Sequence, residues 1–226
     1  MSHRFLDRAF AALLFDMDGT LITSVEAAER VWTRWAARHG LDARTFLPSI
    51  HGQRAVDSIR NLNIPGVDPV AEAEWITLME IADTEGVHEI RGASAFVASL
   101  PREHWAIVTS APRALATRRL EAAGVPLPNV LVTAEDIQVG KPDPSGYRLA
   151  ATKLGVDATH CAIFEDANAG IRAGEAAGGQ VVVITATHAH PLSTPHPGIP
   201  DFIGLQPEFA QGRITIRKSG AHPARR

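Results

Sequence analysis

Asp16 and Asp18 stand two residues apart, just beyond the apolar run Ala11-Ala12-Leu13-Leu14-Phe15 and just before Gly19-Thr20-Leu21. If that run is a buried strand, both carboxylates leave its carboxyl end, where open α/β sheets bind their ligands. A nucleophilic carboxylate beside a second one that moves protons is suited to phosphoryl transfer. Three other groups have the right chemistry to assist. Thr109-Ser110 follow the apolar residues Trp105–Val108 and offer a hydroxyl and a backbone N–H to phosphoryl oxygens. Lys141 is held between turn-formers in Gly140-Lys141-Pro142-Asp143-Pro144, where a fixed ammonium can neutralise both a phosphate and the attacking carboxylate. Glu165-Asp166 follow Cys161–Phe164, and two adjacent acids at a strand end point to a hard cation with oxygen ligands, Mg²⁺ foremost.

Each group taken singly has a plainer reading. Asp-Gly-Thr is a common turn, and a Thr-Ser pair is a common helix cap. Gly-Lys-Pro is a common exposed loop, and no Walker pattern makes Lys141 a P-loop lysine. Glu-Asp before a helix commonly serves its macrodipole. Four such groups in succession, each at the end of a separate predicted strand, are harder to explain as turns.

The elements that must position them follow from the apolar pattern. Ala11–Phe15, Trp105–Thr109, Val130–Thr133, Cys161–Phe164 and Val181–Ile184 read as short buried parallel strands. Between the last four lie helical stretches, Arg113–Ala123, Pro144–Leu154 and Asn168–Ala177, each followed by glycine. This alternation predicts βαβ units and a parallel sheet covered by helices. From about Leu21 to Gly86 the pattern holds no convincing strand. Ser24 caps a predicted helix reaching His39, with Trp32 and Trp35 on its apolar face as core residues, and further helices are expected over Arg54–Asn61 and Pro69–Thr84. Gly92–Leu100 is a predicted helix leading back into the core. Thr185–Pro200 reads as loop, Phe202-Ile203 and Arg213–Lys218 as edge strands, and Ser219–Arg226 as a frayed end.

Phe15–Leu21, Val108–Ser110, Gly140–Pro142 and Phe164–Gly170 resemble the four motifs of the haloacid dehalogenase superfamily, with a helical cap inserted after the first. The resemblance runs from about Ala11 to Ile184. His51-Gly52-Gln53-Arg54, Trp105–Ser110 and Phe164–Gly170 are similar to a narrower group of bacterial sugar phosphatases and fungal glycerol-phosphate and 2-deoxyglucose-phosphate phosphatases. The resemblance implies an α/β fold, a Rossmann-like parallel core over 1–22 and 88–226, with a small all-helical cap over 23–87. It implies Asp16 as nucleophile, forming an aspartyl-phosphate, and Asp18 as the acid and base that serves the leaving alcohol and then water. Thr109, the Ser110 N–H and Lys141 would hold the phosphoryl oxygens. Mg²⁺ would bind Asp16, the Asp18 backbone carbonyl and Asp166, with Glu165 beside it or joined through water. His51 and Arg54, in the cap, would contact the substrate's hydroxyls or close the lid. Ala111-Pro112 departs from the family's Gly or Asn after the second motif and stiffens that loop.

The expected activity is Mg²⁺-dependent hydrolysis of small sugar or polyol phosphates. A haloalkanoate dehalogenase needs no proton donor at the second acid, so Asp18 favours phosphate chemistry. A β-phosphoglucomutase-like isomerase carries a cap histidine at the position matched to Ala28. A catalytically silent binding protein would have lost a charged motif residue, and none of Asp16, Asp18, Lys141 or Asp166 is missing.

Composition agrees with a catalytic domain. With 226 residues, 45% of them apolar, the chain can bury a large core. Its net charge of −3 gives no electrostatic footprint for nucleic acid or an anionic membrane. No run approaches the ~20 apolar residues of a membrane helix, and residues 1–12 lack a signal peptide's apolar segment. A cytoplasmic monomer is expected. Cys161 is the single cysteine, read as a buried hydrophobe. His188, His190 and His196 lie in the Pro/Thr-rich loop without an evident partner and read as solvated, with His188 close enough to the fifth strand to reach the rim of the site.

Overall fold

A computed structural model describes residues 5, 6, 8–188, 190 and 192–218. In chain order the strands are β1 (Ala9–Phe10), β2 (Ala12–Phe15), β3 (Ile22–Thr23), β4 (His88–Glu89), β5 (Trp105–Val108), β6 (Val130–Val132), β7 (Cys161–Glu165), β8 (Gln180–Ile184), β9 (Gly198–Ile199), β10 (Leu205–Ala210) and β11 (Arg213–Lys218). The α-helices are α1 (Val25–Arg38), α2 (Leu47–Ile50), α3 (Ala55–Leu62), α4 (Pro69–Ala82), α5 (Ala93–Ala98), α6 (Arg113–Ala123), α7 (Ser145–Lys153) and α8 (Asn168–Ala177).

Six strands form one all-parallel sheet in the order β6-β5-β2-β7-β8-β9. The chain fills one side of β2 and then the other, so β2 sits where the strand order reverses, the position at which such sheets bind ligands. In register, Phe15 lies beside Ile107 on one side and Phe164 on the other. The residues following these three strands are therefore neighbours in space.

Side-chain alternation shows both faces of the sheet buried. Leu13 and Phe15 of β2 and Ala162 and Phe164 of β7 enter one core, while Ala12, Leu14, Cys161 and Ile163 enter the other. The first core is aromatic: Phe15 stacks on Phe164 at 4.8 Å and meets Phe96, Trp105 and Phe202 at 6.2–6.3 Å. Burying each such phenylalanine stabilises the fold by about 1.5–3 kcal/mol. The second core closes under α7 and α8 through Tyr147, Ala150 and Ala173.

The tail departs from expectation. Phe202-Ile203 is a turn rather than an edge strand; Phe202 is buried in the aromatic core. The sheet's edge is β9 instead. β11 pairs antiparallel with β1 and β10 in a separate three-stranded sheet, and its Ile214 and Ile216 close the first core. The expectation for Ser219–Arg226 lies outside the described residues.

Helices α1–α4 pack on a core of their own, built from Val31, Trp32, Trp35, Phe46, Ile50, Ile59 and Ile76. Trp32 and Trp35 meet edge-on at 5.5 Å, as core residues. The short α2 and the two-residue β3, which pairs with β4 at the base of this helical insert, leave no periodic signal and were not expected. Among the described residues no helix is long and apolar enough to cross a membrane.

Candidate active site

Asp16 is the first residue past β2, only 4% exposed, with its N–H bonded to the Phe164 carbonyl. The Lys141 ammonium, arriving from the loop before α7, donates to Asp16 Oδ1 and, at 2.6 Å, to Glu165 Oε1. Glu165, 1% exposed, also accepts from the Tyr147 hydroxyl at 2.6 Å and from the N–H groups of Asp166 and Ala167. Burial first, then the nearby Glu165 and Asp16 carboxylates, push the Tyr147 phenol well above its ordinary range, so it stays a neutral donor.

Two glycines make room for these acids. A Cβ on Gly19 would lie 1.9 Å from Asp166 Oδ2, and Gly19 has φ +86°. A Cβ on Gly170 would lie 1.7 Å from Glu165 Oε1. Both positions exclude any side chain while the carboxylates stay where they are.

Asp16, Glu165 and Asp166 offer oxygens within 4.8 Å of one another. Burial pushes the Asp16 carboxyl up from 3.8 to about 8, with Lys141 opposing and Glu165 and Asp18 reinforcing the shift. Asp166 is pushed well above its ordinary value by burial and by the carboxylates of Asp16 and Glu165. One ammonium pairs with two buried acids, a third acid, Asp166, stands beside them half-buried, and Asp166 Oδ1 is buried without a hydrogen-bond partner among the described residues. An all-oxygen donor set with surplus negative charge fits a hard divalent cation.

Asp18 lies apart from that acid cluster. Its Oδ1 accepts from Ser24 Oγ at 2.5 Å and from Arg119 Nη1 at 3.0 Å. Arg119 is 5% exposed, and its Nη2 is 3.3 Å from Oε1 of Glu80, a 6% exposed acid on α4. That approach lacks the alignment of a hydrogen bond. Burial pushes the Glu80 carboxyl up, with the Arg119 charge pulling the other way.

The remaining expected residues divide. Thr109 is buried at the end of β5, and its Oγ1 accepts from the Ala111 N–H. Ser110 Oγ donates to the Gly52 carbonyl of the insert at 2.9 Å. Arg54 spans the same junction, donating to the Gln138 carbonyl at 3.0 Å just ahead of the Lys141 loop, while its Nε holds Asp57 at 2.6 Å. His51 instead pairs within the insert, 3.5 Å from Glu29. His188 Nε2 lies 2.8 Å from the Asp166 carbonyl oxygen, at the rim. His196, expected without a partner, lies 2.6 Å from Glu175. Cys161 is fully buried and its thiol is pushed up to about 12 by that burial.

Sequence reasoning missed Tyr147, Arg119 and Glu80, and assigned Ser24 to helix capping. Ser24 does stand at the N-cap of α1, but its hydroxyl goes to Asp18 and makes no cap bond. A signal existed for two of them. Arg119 shares the buried face of α6 with Leu115, Ala116 and Leu120, and Glu80 follows Ile76 by one turn of α4. A charged residue on an apolar stripe asks for a buried partner.

Residues 10–178 match the family of haloacid dehalogenase-like hydrolases. Hexitol phosphatase A of Escherichia coli (strain K12) is 41% identical over 80% of this chain and 84% of its own length. 2-Deoxyglucose-6-phosphate phosphatase 1 of Saccharomyces cerevisiae is 34% identical over 77% of this chain and 80% of its own. The fold is similar to that of CbbY from Rhodobacter sphaeroides, solved in complex with phosphate, at a TM-score of 0.72 and 22% identity over 85% of this chain and 95% of that one.

Proposed function

We propose that this chain, which belongs to the haloacid dehalogenase-like hydrolase family, is a phosphatase that hydrolyses small sugar or polyol phosphates through an aspartyl-phosphate on Asp16. The observation that carries the reading is a buried carboxylate at the central strand's end, paired to a buried lysine and flanked by two more acids. Relatives that act on hexitol and deoxyhexose phosphates support the substrate class.

The chemistry follows from the residues. Asp16 attacks phosphorus, forming a carboxylate–phosphorus bond as the bond to the substrate's alcohol oxygen breaks. Asp18 gives that oxygen a proton, then takes one from a water that attacks the phosphoryl group and frees Asp16. Lys141 has three N–H donors, of which Asp16 and Glu165 use two, leaving one for a phosphoryl oxygen. Tyr147 and the N–H groups of Asp166 and Ala167 hold Glu165, so the lysine is fixed from both sides. Asp16 and Asp166 would hold Mg²⁺, with Glu165 alongside and the backbone carbonyl of Asp18 as a further ligand. Bound there, the cation offsets the repulsion between the attacking carboxylate and the phosphoryl oxygens.

Residues 23–87 act as a cap over this site. Arg54 and Ser110 tie it to the core, and His51 and Arg54 serve substrate recognition or closure. Thr109 and the Ser110 N–H serve as phosphoryl ligands.

Phosphate release from a panel of phosphomonoesters with Mg²⁺ tests the assignment. Glycerol phosphates, hexose 6-phosphates, deoxyhexose phosphates and hexitol phosphates belong in it, with β-glucose 1-phosphate and product identification to score isomerisation. Turnover of one or more polyol or sugar phosphates, abolished by chelation, is expected. Folded protein with Mg²⁺ that releases phosphate from none of them would sink the reading.

A further inference from the structure

We propose that Arg119 is a positioning residue that restrains the Asp18 side chain and is itself braced by Glu80 of the helical insert. The inference rests on the phosphatase reading above and adds to it a residue outside the four motifs. Arg119 belongs to α6, a core helix, and touches none of Asp16, Lys141 or Glu165 among the described contacts. Its guanidinium is buried between two carboxylates, with Nη1 on Asp18 Oδ1 at 3.0 Å and Nη2 3.3 Å from Glu80. Its Nε is buried without a partner among the described residues. If the position served packing alone, an apolar side chain of similar volume would avoid desolvating this charge and its unmatched donor. The arrangement is explained if the charge is needed at Asp18.

Ser24 supplies an independent observation. It stands at the N-cap of α1, the first helix of the insert, yet its hydroxyl bonds Asp18 Oδ1 at 2.5 Å rather than a helix N–H. The same oxygen of Asp18 is thus held by a residue at the insert's entrance and by an arginine whose other arm meets the insert's last helix. If the insert moves away while Asp18 stays on the core, the Ser24 bond is lost and Arg119 keeps Asp18 but loses the Glu80 carboxylate that braces its other arm. A proton donor misaimed by about 1 Å can lose on the order of 10²-fold in rate, so such a tether has catalytic consequences without touching the substrate.

The leaving group provides the test. An alkyl phosphate needs its departing oxygen protonated, whereas p-nitrophenyl phosphate expels a stable phenolate and needs a donor far less. kcat/KM, which reports through the first irreversible step, is measured for the best alkyl phosphate of the panel and for p-nitrophenyl phosphate. Wild type, Arg119→Met, Arg119→Lys, Glu80→Gln, Ser24→Ala and Asp18→Asn are compared. For Arg119→Met the expected loss is about 100-fold on the alkyl ester and under about 10-fold on the aryl ester, within the range of general acid catalysis. Arg119→Lys should recover part of the alkyl activity. Glu80→Gln and Ser24→Ala should shift the alkyl-to-aryl ratio the same way by about 3- to 10-fold, and they supply the reading if Arg119→Met does not fold.

An unchanged ratio in every folded variant of Arg119, Glu80 and Ser24, while Asp18→Asn does shift it, overturns this inference alone. Equal losses on both esters overturn it too, because they signify a structural role. No hydrolysis by wild type, or no shift in Asp18→Asn, overturns the phosphatase or proton-donor reading beneath it.

Discussion

The parallel-sheet core and the helical insert handle charge in opposite ways. In the core, Asp16, Lys141 and Glu165 are all at most 8% exposed and meet one another at the strand ends. In the insert the ion pairs stay near water, as with Arg30 and Asp83 at 2.7 Å and Arg44 and Asp42 at 2.9 Å, and Arg38 lies over the Trp75 ring at 4.2 Å. Exposed pairs of that kind, screened by water, contribute little to stability. The insert's stability comes instead from its tryptophan and phenylalanine cluster. Charges buried at a strand end raise the free energy of the folded state, and they are retained where chemistry uses them. Glu80 is the insert's exception, and its counter-charge, Arg119, belongs to the core and reaches the site.

Five experiments break or sharpen this contrast. Asp16→Asn should lower kcat by on the order of 10⁴-fold or more, because the covalent step is lost. Its Tm should hold, since burial already favours an uncharged side chain at this position. Substantial residual turnover would remove Asp16 as nucleophile.

Lys141→Met should lower kcat by about 10²–10³-fold, through loss of a fixed charge at the phosphoryl group. It should also destabilise the fold by about 3–5 kcal/mol, because Asp16 and Glu165 are left facing each other in a dry site. A variant with wild-type stability would mean that the ammonium does not hold this cluster together.

Trp35→Ala should show the reverse pattern. Thermal or denaturant unfolding should register a loss of about 3–5 kcal/mol, from the cavity left in the insert's core. Where the variant remains folded, kcat should change far less than in the two core variants. A loss of turnover as large as that of Lys141→Met would contradict the division of labour.

Without added metal, the contribution of Asp16 to stability should fall as pH rises, above the range in which the hydrogen-bonded carboxyls such as Asp83 and Asp136 titrate. The Asp16 carboxyl is raised from 3.8 to about 8 on folding, so the folded state holds the proton more tightly. That contribution is complete below pH 3.8 and is lost as pH climbs toward about 8. The proposed Mg²⁺ competes with that proton, so the Tm increase on adding it should grow across the same window. An increase independent of pH would place the cation elsewhere.

Arg54→Ala and His51→Ala should have the smallest effects, about 3- to 10-fold in kcat/KM and mainly in KM, as expected for lost binding contacts. If neither variant changes kcat/KM for the best substrate, the insert's turn has no part in recognition.

Much of this was legible in the chain, for physical reasons tied to particular elements. Strands buried on both faces are continuous apolar runs, so β2, β5, β7 and β8 are visible as such, and the glycines after α6 and α8 mark the helix ends. Motif residues stand at the ends of those strands, Asp16 and Thr109 just past β2 and β5 and Glu165 as the last residue of β7, so one end of the sheet could be picked out from the chain. β1, β3 and β9 were not legible, because two residues carry no period. The turn at Phe202 was misread because an aromatic pair resembles a strand wherever the burying partner is out of view.

Sequence alone offered the proposed inventory and its order along the chain: two acids after one apolar run, a hydroxyl after a second, a lysine in a loop, and two more acids after a third. Local spacing suffices for that, since a strand's end is set by its own residues. Tertiary structure decided how the inventory is wired. Parallel register put the end of β2 between the ends of β5 and β7, and a glycine at 19 made room for the Asp166 carboxylate beside Asp16 and Glu165. Packing of the insert on α6 brought Ser24 and Arg119, 6 and 101 positions away, onto Asp18, and set Glu80 against the other arm of Arg119. Burial turns such distant pairings into strong ones, and burial is a property of the folded assembly that no short stretch of sequence contains.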